Sequence, residues 1–215
     1  MTKPIIILGG GGHAKVLIDM LHRLNCRLIG IVDPNHPIGS TLLGLNVLGA
    51  DKVVFDYSAA EVELINGVGS LPKDKGLRAN LFNTFSAQGY HFKTLIDPTA
   101  FIAADAELSD GVQVMAGVII QAGTKIARNT VVNSGAIVEH DCCIGRHVHI
   151  APGAVLSGTV EVGDYVHIGT GAKIIQGISI GSGSIIGAGS VVTQDIACNQ
   201  IVYPPRSQIK PINRD

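Results

Sequence analysis

A histidine set between two carboxylates, Glu139-His140-Asp141, is the most chemically suggestive grouping in this chain. Near neutral pH, an imidazole oriented by an acid is well suited to take a proton from an attacking amine or hydroxyl. The competing reading is a corner histidine on the surface, salt-bridged to its neighbour. Further polar residues crowd the same region: Asn133-Ser134 before it, then Cys142, Cys143, His147, His149 and His167. Several histidines invite a metal reading. His147 and His149 could share a face, but no third ligand is evident by spacing, so no metal is expected. Cys142 falls at an inward-leaning position and Cys143 has no base partner by spacing, which argues against a cysteine nucleophile.

The element that must position these residues is periodic. Every sixth residue from Ile102 to Val192 is Ile, Leu or Val, sixteen in a row. A six-residue period fits neither a strand nor a helix, but it fits a three-sided coil with one inward aliphatic per side, a parallel β-helix. Gly commonly stands three residues after each aliphatic, as at Gly111, Gly135 and Gly153, with Asn129 and Asp141 in the same register. Those are the residues that tolerate a corner taken at positive φ. Three sides make a coil of eighteen residues, so counting by eighteens stacks residues along the column. Gly158 then lies on His140 and leaves its backbone N–H unobstructed near the ring. Pro152, Thr170 and Ala188 form a line of small side chains along which a long, thin ligand could lie. His140 and His149 are half a coil apart and could share a site only through a neighbouring subunit. A cyclic homotrimer is the natural packing for such a column.

Ahead of the coil, residues 4–95 read as alternating strand and helix, a small parallel sheet flanked by helices. Ile5–Leu8 and Leu28–Val32 are strands, with a helix between them carrying Val16, Leu17, Met20, Leu21 and Leu24 on one face. Leu43–Leu48 and Lys52–Phe55 read as weaker extended segments, and Glu63–Val68 as a strand. A helix around Gly76–Gln88 precedes a last strand at Phe92–Ile96. After the first strand, Gly9-x-Gly11-x-x-Ala14 opens a helix, and Asp33 ends the second strand. Such glycines let backbone N–H groups approach a pyrophosphate, while the carboxylate holds a ribose or base. The alternative is a tight turn with no ligand. Fewer than a hundred residues make only one mononucleotide-binding half, which suits a UDP- or GDP-sugar better than NAD.

The expected organisation is a Rossmann-like domain at 1–97, a β-helix at 98–196 and a capping tail at 197–215. A net charge of −1 with no basic cluster argues against a nucleic-acid footprint. No apolar run approaches a membrane span, and the N-terminus lacks a signal peptide's cleavage region, so no membrane insertion and a cytoplasmic location are expected. The four cysteines form no spaced framework and read as reduced thiols.

The stretches GGGGHAKV (Gly9–Val16), Asp33, Gly67-Val68-Gly69, NSGAIVEHDC (Asn133–Cys142), His149–Gly153 and the hexapeptide register carry a resemblance. Over nearly its full length the chain resembles the bacterial nucleotide-amino-sugar acetyltransferases. These include enzymes that acetylate UDP-4-amino-4,6-dideoxy-N-acetylglucosamine on the route to bacillosamine, GDP-perosamine N-acetyltransferases, and sialic acid O-acetyltransferase-like proteins. The resemblance implies a left-handed coil, an exception to the usual crossover hand. It implies His140 as general base, Asp141 as the carboxylate behind it, and the Gly158 N–H at the oxyanion. It implies His149, Thr170 and Ala188 at acetyl-CoA, and Gly11, Gly12, His13, Asp33 and Gly69 at the nucleotide sugar. Two stretches depart from the family pattern: Ser70-Leu71 after the third glycine, and Val202-Tyr203-Pro204-Pro205-Arg206 near the end. A zinc-dependent β-helix lyase and a non-catalytic scaffold are the more distant alternatives.

Overall fold

The computed structural model describes residues 3–70, 72 and 76–205. The N-terminal part runs β1 (Ile5–Leu8), α1 (Gly12–Arg23), β2 (Leu28–Val32), β3 (Thr41–Leu42), β4 (Leu45–Gly49), β5 (Glu63–Asn66) and α2 (Leu77–Ala87). The sheet order is β3-β4-β2-β1-β5. β1 pairs parallel with both β2 and β5, and its four aliphatic residues are buried on both faces. α1 packs on one side through Ala14, Leu17, Ile18 and Leu21. Leu81, Phe82 and Phe85 of α2 pack on the other.

Three local expectations are corrected. Lys52–Phe55 is not extended but lies within a 3-10 helix, Asp51–Asp56, of which only Val54 is buried. A four-residue apolar run carries no usable period, so strand and helix are indistinguishable there. In α1 the buried set is Ala14, Leu17, Ile18, Met20 and Leu21, whereas Val16, and Leu24 just past the helix end, face solvent. Phe92–Ile96 adds no strand to the N-terminal sheet beyond a single bridge from Phe92 to Leu64. Its end, β6 (Leu95–Ile96), instead pairs with Gln113-Val114 and starts the next architecture.

That architecture is a solenoid of two-residue strands, each paired in parallel with the strand eighteen residues on, as Ile119 with Ile137 and Cys143 with Glu161. The strands form three sheets of six, five and seven members. The inward hexad residues, Val114 to Val192, fuse into one buried core. Corners fall at every sixth residue from Gly111 to Gly189, and all have positive φ. His147, Thr159 and Tyr165 adopt this conformation as well as Asn129 and Asp141, so the corner geometry is imposed by the coil even on a β-branched side chain. Beyond Val192 the register lapses, yet Ile201-Val202 still pairs with Ile185-Ile186. Pro204 closes over Gly187, where a Cβ would come within 2.7 Å of its Cδ. Leu71, Arg206 and the rest of the C-terminal tail lie outside the described residues.

The three sides differ in what they meet. The first, carrying Leu95, Gln113 and Val131 outward, is covered by the N-terminal domain, and α1 shares a core with Leu95, Met115 and Val131. Arg23 fastens that contact with a 2.7 Å ion pair to the buried Asp97. The second carries Glu107, Lys125, Cys143, Glu161 and Ser179 outward, all exposed. The third carries Phe101, Ile119, Ile137, Val155 and Val191, interrupted only by Lys173. Phe101 and Val191 are 56% and 60% exposed on this apolar side. Among the described residues no helix is long and apolar enough to cross a membrane.

Candidate active site

His140 and Asp141 occupy the edge where the apolar side turns into the polar one. Asp141 takes the corner at φ 60, which throws its carboxylate back onto the preceding residue. His140 Nδ1 and Asp141 Oδ2 are 2.9 Å apart, and both side chains are more than half exposed. With Nδ1 donating to the carboxylate, Nε2 is the ring's acceptor. One coil on, Gly158 lies under the ring, and a Cβ there would collide with Nε2. The Gly158 carbonyl accepts from Gly177 N at 3.0 Å, while its N–H donates to no described residue. Gly123, one coil earlier, likewise has no room for a Cβ, which would run into Asp141 Oδ1. The adjoining Cys142 is fully buried, and burial pushes its thiol up to about 11, so it is core and not a nucleophile.

His149 sits elsewhere, on the covered side beneath the N-terminal domain. Its Nδ1 donates to the Ser70 carbonyl at 2.9 Å, and Asn133 Nδ2 approaches Nε2 at 3.4 Å. This pattern requires a neutral ring, and burial, with neighbouring His167 next, holds it at about 4. The rings of His149 and His167 lie 5.0 Å apart. Pro152, Thr170 and Ala188 do form a column, linked by Gly171 N to Pro152 O at 3.0 Å and Gly189 N to Thr170 O at 2.8 Å. All three are exposed along the edge where the covered side turns into the apolar one.

At the glycine-rich turn the four glycines divide into two kinds. Gly9 has φ 90 and Gly10 packs on Leu42 and Asp33, so both are needed by the turn itself. Gly11 and Gly12 face open space: a Cβ at either would meet nothing within 4 Å. α1 begins here with no acidic side chain in its first turn and no side-chain cap, leaving backbone N–H groups open to an anion. Asp33 Oδ2 accepts from Gly10 N at 2.7 Å and Oδ1 from Asn35 N at 2.8 Å. Burial would raise its carboxyl, but the bonds from Asn35 and Gly10 outweigh this and lower it, so it stays charged. Beside it, Asn35, Asp51, Leu77 and Leu81 line a cavity of about 90 Å³.

His13 faces the solenoid. Gln113 Nε2 donates to Asn66 O at 2.9 Å, which turns Gln113 Oε1 toward His13 Nε2 at 2.8 Å. Burial, then the charge of Arg78, holds His13 at about 4, so the ring is neutral with its proton on Nε2. Gly69 borders it, its Cβ position 3.5 Å from His13 Cβ. Gly11, Gly12, His13 and Gly69 therefore converge in one region of the chain with His149. His140, Asp141 and Gly158 do not join them, because they stand on a different edge of the prism. Asn66, Gln113, Arg78 and the Ser70 carbonyl were missed by sequence reasoning. Among the described residues no three His, Cys, Asp or Glu side chains could hold a metal ion.

Residues 4–85 match the PglD N-terminal domain family, and 123–158 and 159–194 each match the bacterial transferase hexapeptide family of six repeats. No protein of curated function matches the chain by sequence. Among solved structures, the acetyltransferase domain of PglB from Neisseria gonorrhoeae is 31% identical with a TM-score of 0.86, over 93% of this chain and 96% of that one. The same domain has been solved with acetyl coenzyme A. PerB from Caulobacter crescentus, in complex with CoA and GDP-perosamine, is 34% identical with a TM-score of 0.84, over 94% of each chain. WeeI from Acinetobacter baumannii, 24% identical with a TM-score of 0.81 over 93% of this chain and 96% of that one, shares the fold. The solenoid is the left-handed hexapeptide β-helix of these chains. Domain match, repeat match and shared architecture agree across nearly the whole length, and the chain belongs to this family of sugar acetyltransferases.

Proposed function

We propose that the protein transfers the acetyl group of acetyl-CoA to the amino group of a nucleotide-linked amino sugar. His140 Nε2 takes the amine proton as the nitrogen attacks the thioester carbonyl. Asp141 orients the ring and stabilises the imidazolium that forms. The Gly158 N–H donates to the developing oxyanion, and coenzyme A leaves with the electron pair of the C–S bond. The observation that carries this reading is the stack of His140 on Gly158, which sets an acceptor nitrogen beside an unused backbone donor. The Rossmann-like domain would grip the nucleotide at Asp33, Gly11, Gly12, His13 and Gly69, and this remote binding energy would orient the amine.

Assembly completes the site. The apolar side of the prism is flanked by the His140 edge on one margin and by the Pro152–Thr170–Ala188 edge on the other. If three such sides line a threefold axis, the His140 edge of one subunit meets the small-residue edge of the next. CoA would lie along that column with His149 nearby, and its thioester would reach the neighbour's imidazole. We therefore assign a homotrimer with three shared sites. Four unpaired cysteines suit a reducing compartment, and we assign the activity to the cytoplasm.

For the acceptor we favour UDP-4-amino-4,6-dideoxy-N-acetylglucosamine. GDP-perosamine is the second reading, supported by the likeness to a protein solved with that sugar. Mass spectrometry of products from acetyl-CoA and a panel of UDP- and GDP-linked amino sugars tests both. A gain of one acetyl group on the UDP sugar supports the first reading, and selective gain on GDP-perosamine the second. No acetylation of any amine, with transfer to a sugar hydroxyl instead, would defeat both.

A further inference from the structure

A third edge of the prism, where the polar side turns toward the covered one, holds features that acetyl transfer does not use. Arg78, only 6% exposed, donates through Nη1 to the carbonyls of Asn66 (3.0 Å) and Val68 (2.8 Å). Among the described residues its Nε and Nη2 reach no partner, and it forms no ion pair with a carboxylate. Such a group is costly to bury unless something completes it. Burial alone lowers the guanidinium to about 9, so it stays a cation at neutral pH. Arg78 lines a cavity of about 170 Å³ whose described walls contain no acidic residue. Gly76 and the first turn of α2 form another wall, with no acidic residue and no side-chain cap. The N–H groups of that first turn, which donate to no described residue, add to the same positive end. Opposite stand Asn129, His147, Tyr165 and His167. Asn129 Nδ2 lies 2.8 Å from His147 Nδ1 and donates to it, which leaves the His147 proton on Nε2. Tyr165 stacks on that ring at 4.8 Å.

We propose that this cavity binds a phosphate-class oxyanion, held by Nε and Nη2 of Arg78 together with the α2 N-terminus. A guanidinium fork and a helix N-terminus share the same preferred ligand, a compact anion with several acceptor oxygens. The volume equals nearly six waters at ~30 Å³ each, which admits orthophosphate or a terminal phosphoryl group. Leu77 borders both this cavity and the one beside Asp33. The oxyanion therefore has two sources: free phosphate, or the phosphate of a nucleotide seated at Asp33. The inference does not depend on the transfer chemistry.

The test is calorimetric titration of orthophosphate into the full chain at fixed ionic strength, with chloride as the control. Saturable binding is expected for the wild type, weakened about tenfold or more by Arg78→Met and less by Arg78→Lys. Repeating the titration with saturating UDP or GDP separates the sources. Lost phosphate heat assigns the site to the nucleotide, and retained heat to free phosphate. No saturable binding, or equal binding by a folded R78M variant, overturns the proposal. Since Arg78 also ties down Asn66 and Val68, the wild type provides a second test. Crystals soaked in arsenate are expected to show an anomalous peak within hydrogen-bond reach of Arg78, and peaks only elsewhere overturn the proposal.

Discussion

The imidazole of His140 rests on Gly158, one coil further along the chain, with no space between them for a methyl group. Gly158 does not take a positive φ, so its backbone accepts alanine without strain. Gly158→Ala should therefore fold normally, with Tm within about 2 °C of wild type, while its Cβ displaces the ring. We expect kcat to fall about a hundredfold with little change in the KM of the sugar. An unchanged kcat would remove Gly158 from the reacting centre.

Asp141 offers a cleaner removal of charge. It sits at φ 60, where asparagine is also tolerated, so Asp141→Asn keeps the corner and loses the carboxylate. His140→Ala should lower kcat by about 10²- to 10⁴-fold, and Asp141→Asn by a smaller factor. Steady-state rates with circular dichroism as the fold control check both. If Asp141→Asn costs more than His140→Ala, the base has been misassigned.

Three half-buried imidazoles make stability sensitive to acid. His13, His147 and His149 are held near 4 in the fold, whereas an unfolded chain's histidine titrates near 6.5. Their folded values are depressed, so below 6.5 the unfolded state binds the extra protons. Stability is then full above about pH 7 and falls as pH drops from 6.5 toward 4, by up to about 3 kcal/mol per histidine. Thermal melts from pH 7.5 to 4.5 should show that slope, and His13→Gln should flatten part of it. A melting temperature flat across this window would contradict the neutral assignment.

Subunit mixing tests whether the site is shared. His140→Ala lacks the base, and Ala188→Trp blocks the column, so each homogeneous variant should be nearly inactive. Unfolded together and refolded, they should recover a substantial fraction of wild-type activity, because hybrid seams pair an intact base with an open column. Ile137→Asp on the apolar side should yield monomers by light scattering, with activity lost. Failure of the mixed sample to regain activity would mean that one chain supplies the whole site.

The residues show unevenly how much of this was legible beforehand. The aliphatic hexads give the coil, its corners and the His140–Gly158 stack, because a solenoid converts sequence separation into height by simple counting. Lys52–Phe55 was misread because a run so short has no period. Gln113, Asn66 and Arg78 were invisible for a different reason. Their roles depend on which side of the prism the N-terminal domain covers, and counting fixes height and side but not what packs there. Gln113 read in isolation is an outward polar residue; beneath α1 it becomes the buried link between Asn66 and His13.

The absence of any insertion between Ile102 and Val192 makes the column a ruler. Each coil adds one fixed graduation of about 4.8 Å, so Pro152 to Ala188 spans two graduations, about 10 Å. An extended donor laid on that edge is gauged against a scale that cannot stretch. If CoA lies on that edge as proposed, excising one whole graduation of eighteen residues would keep the prism closed yet retune the length of thioester arm it accepts.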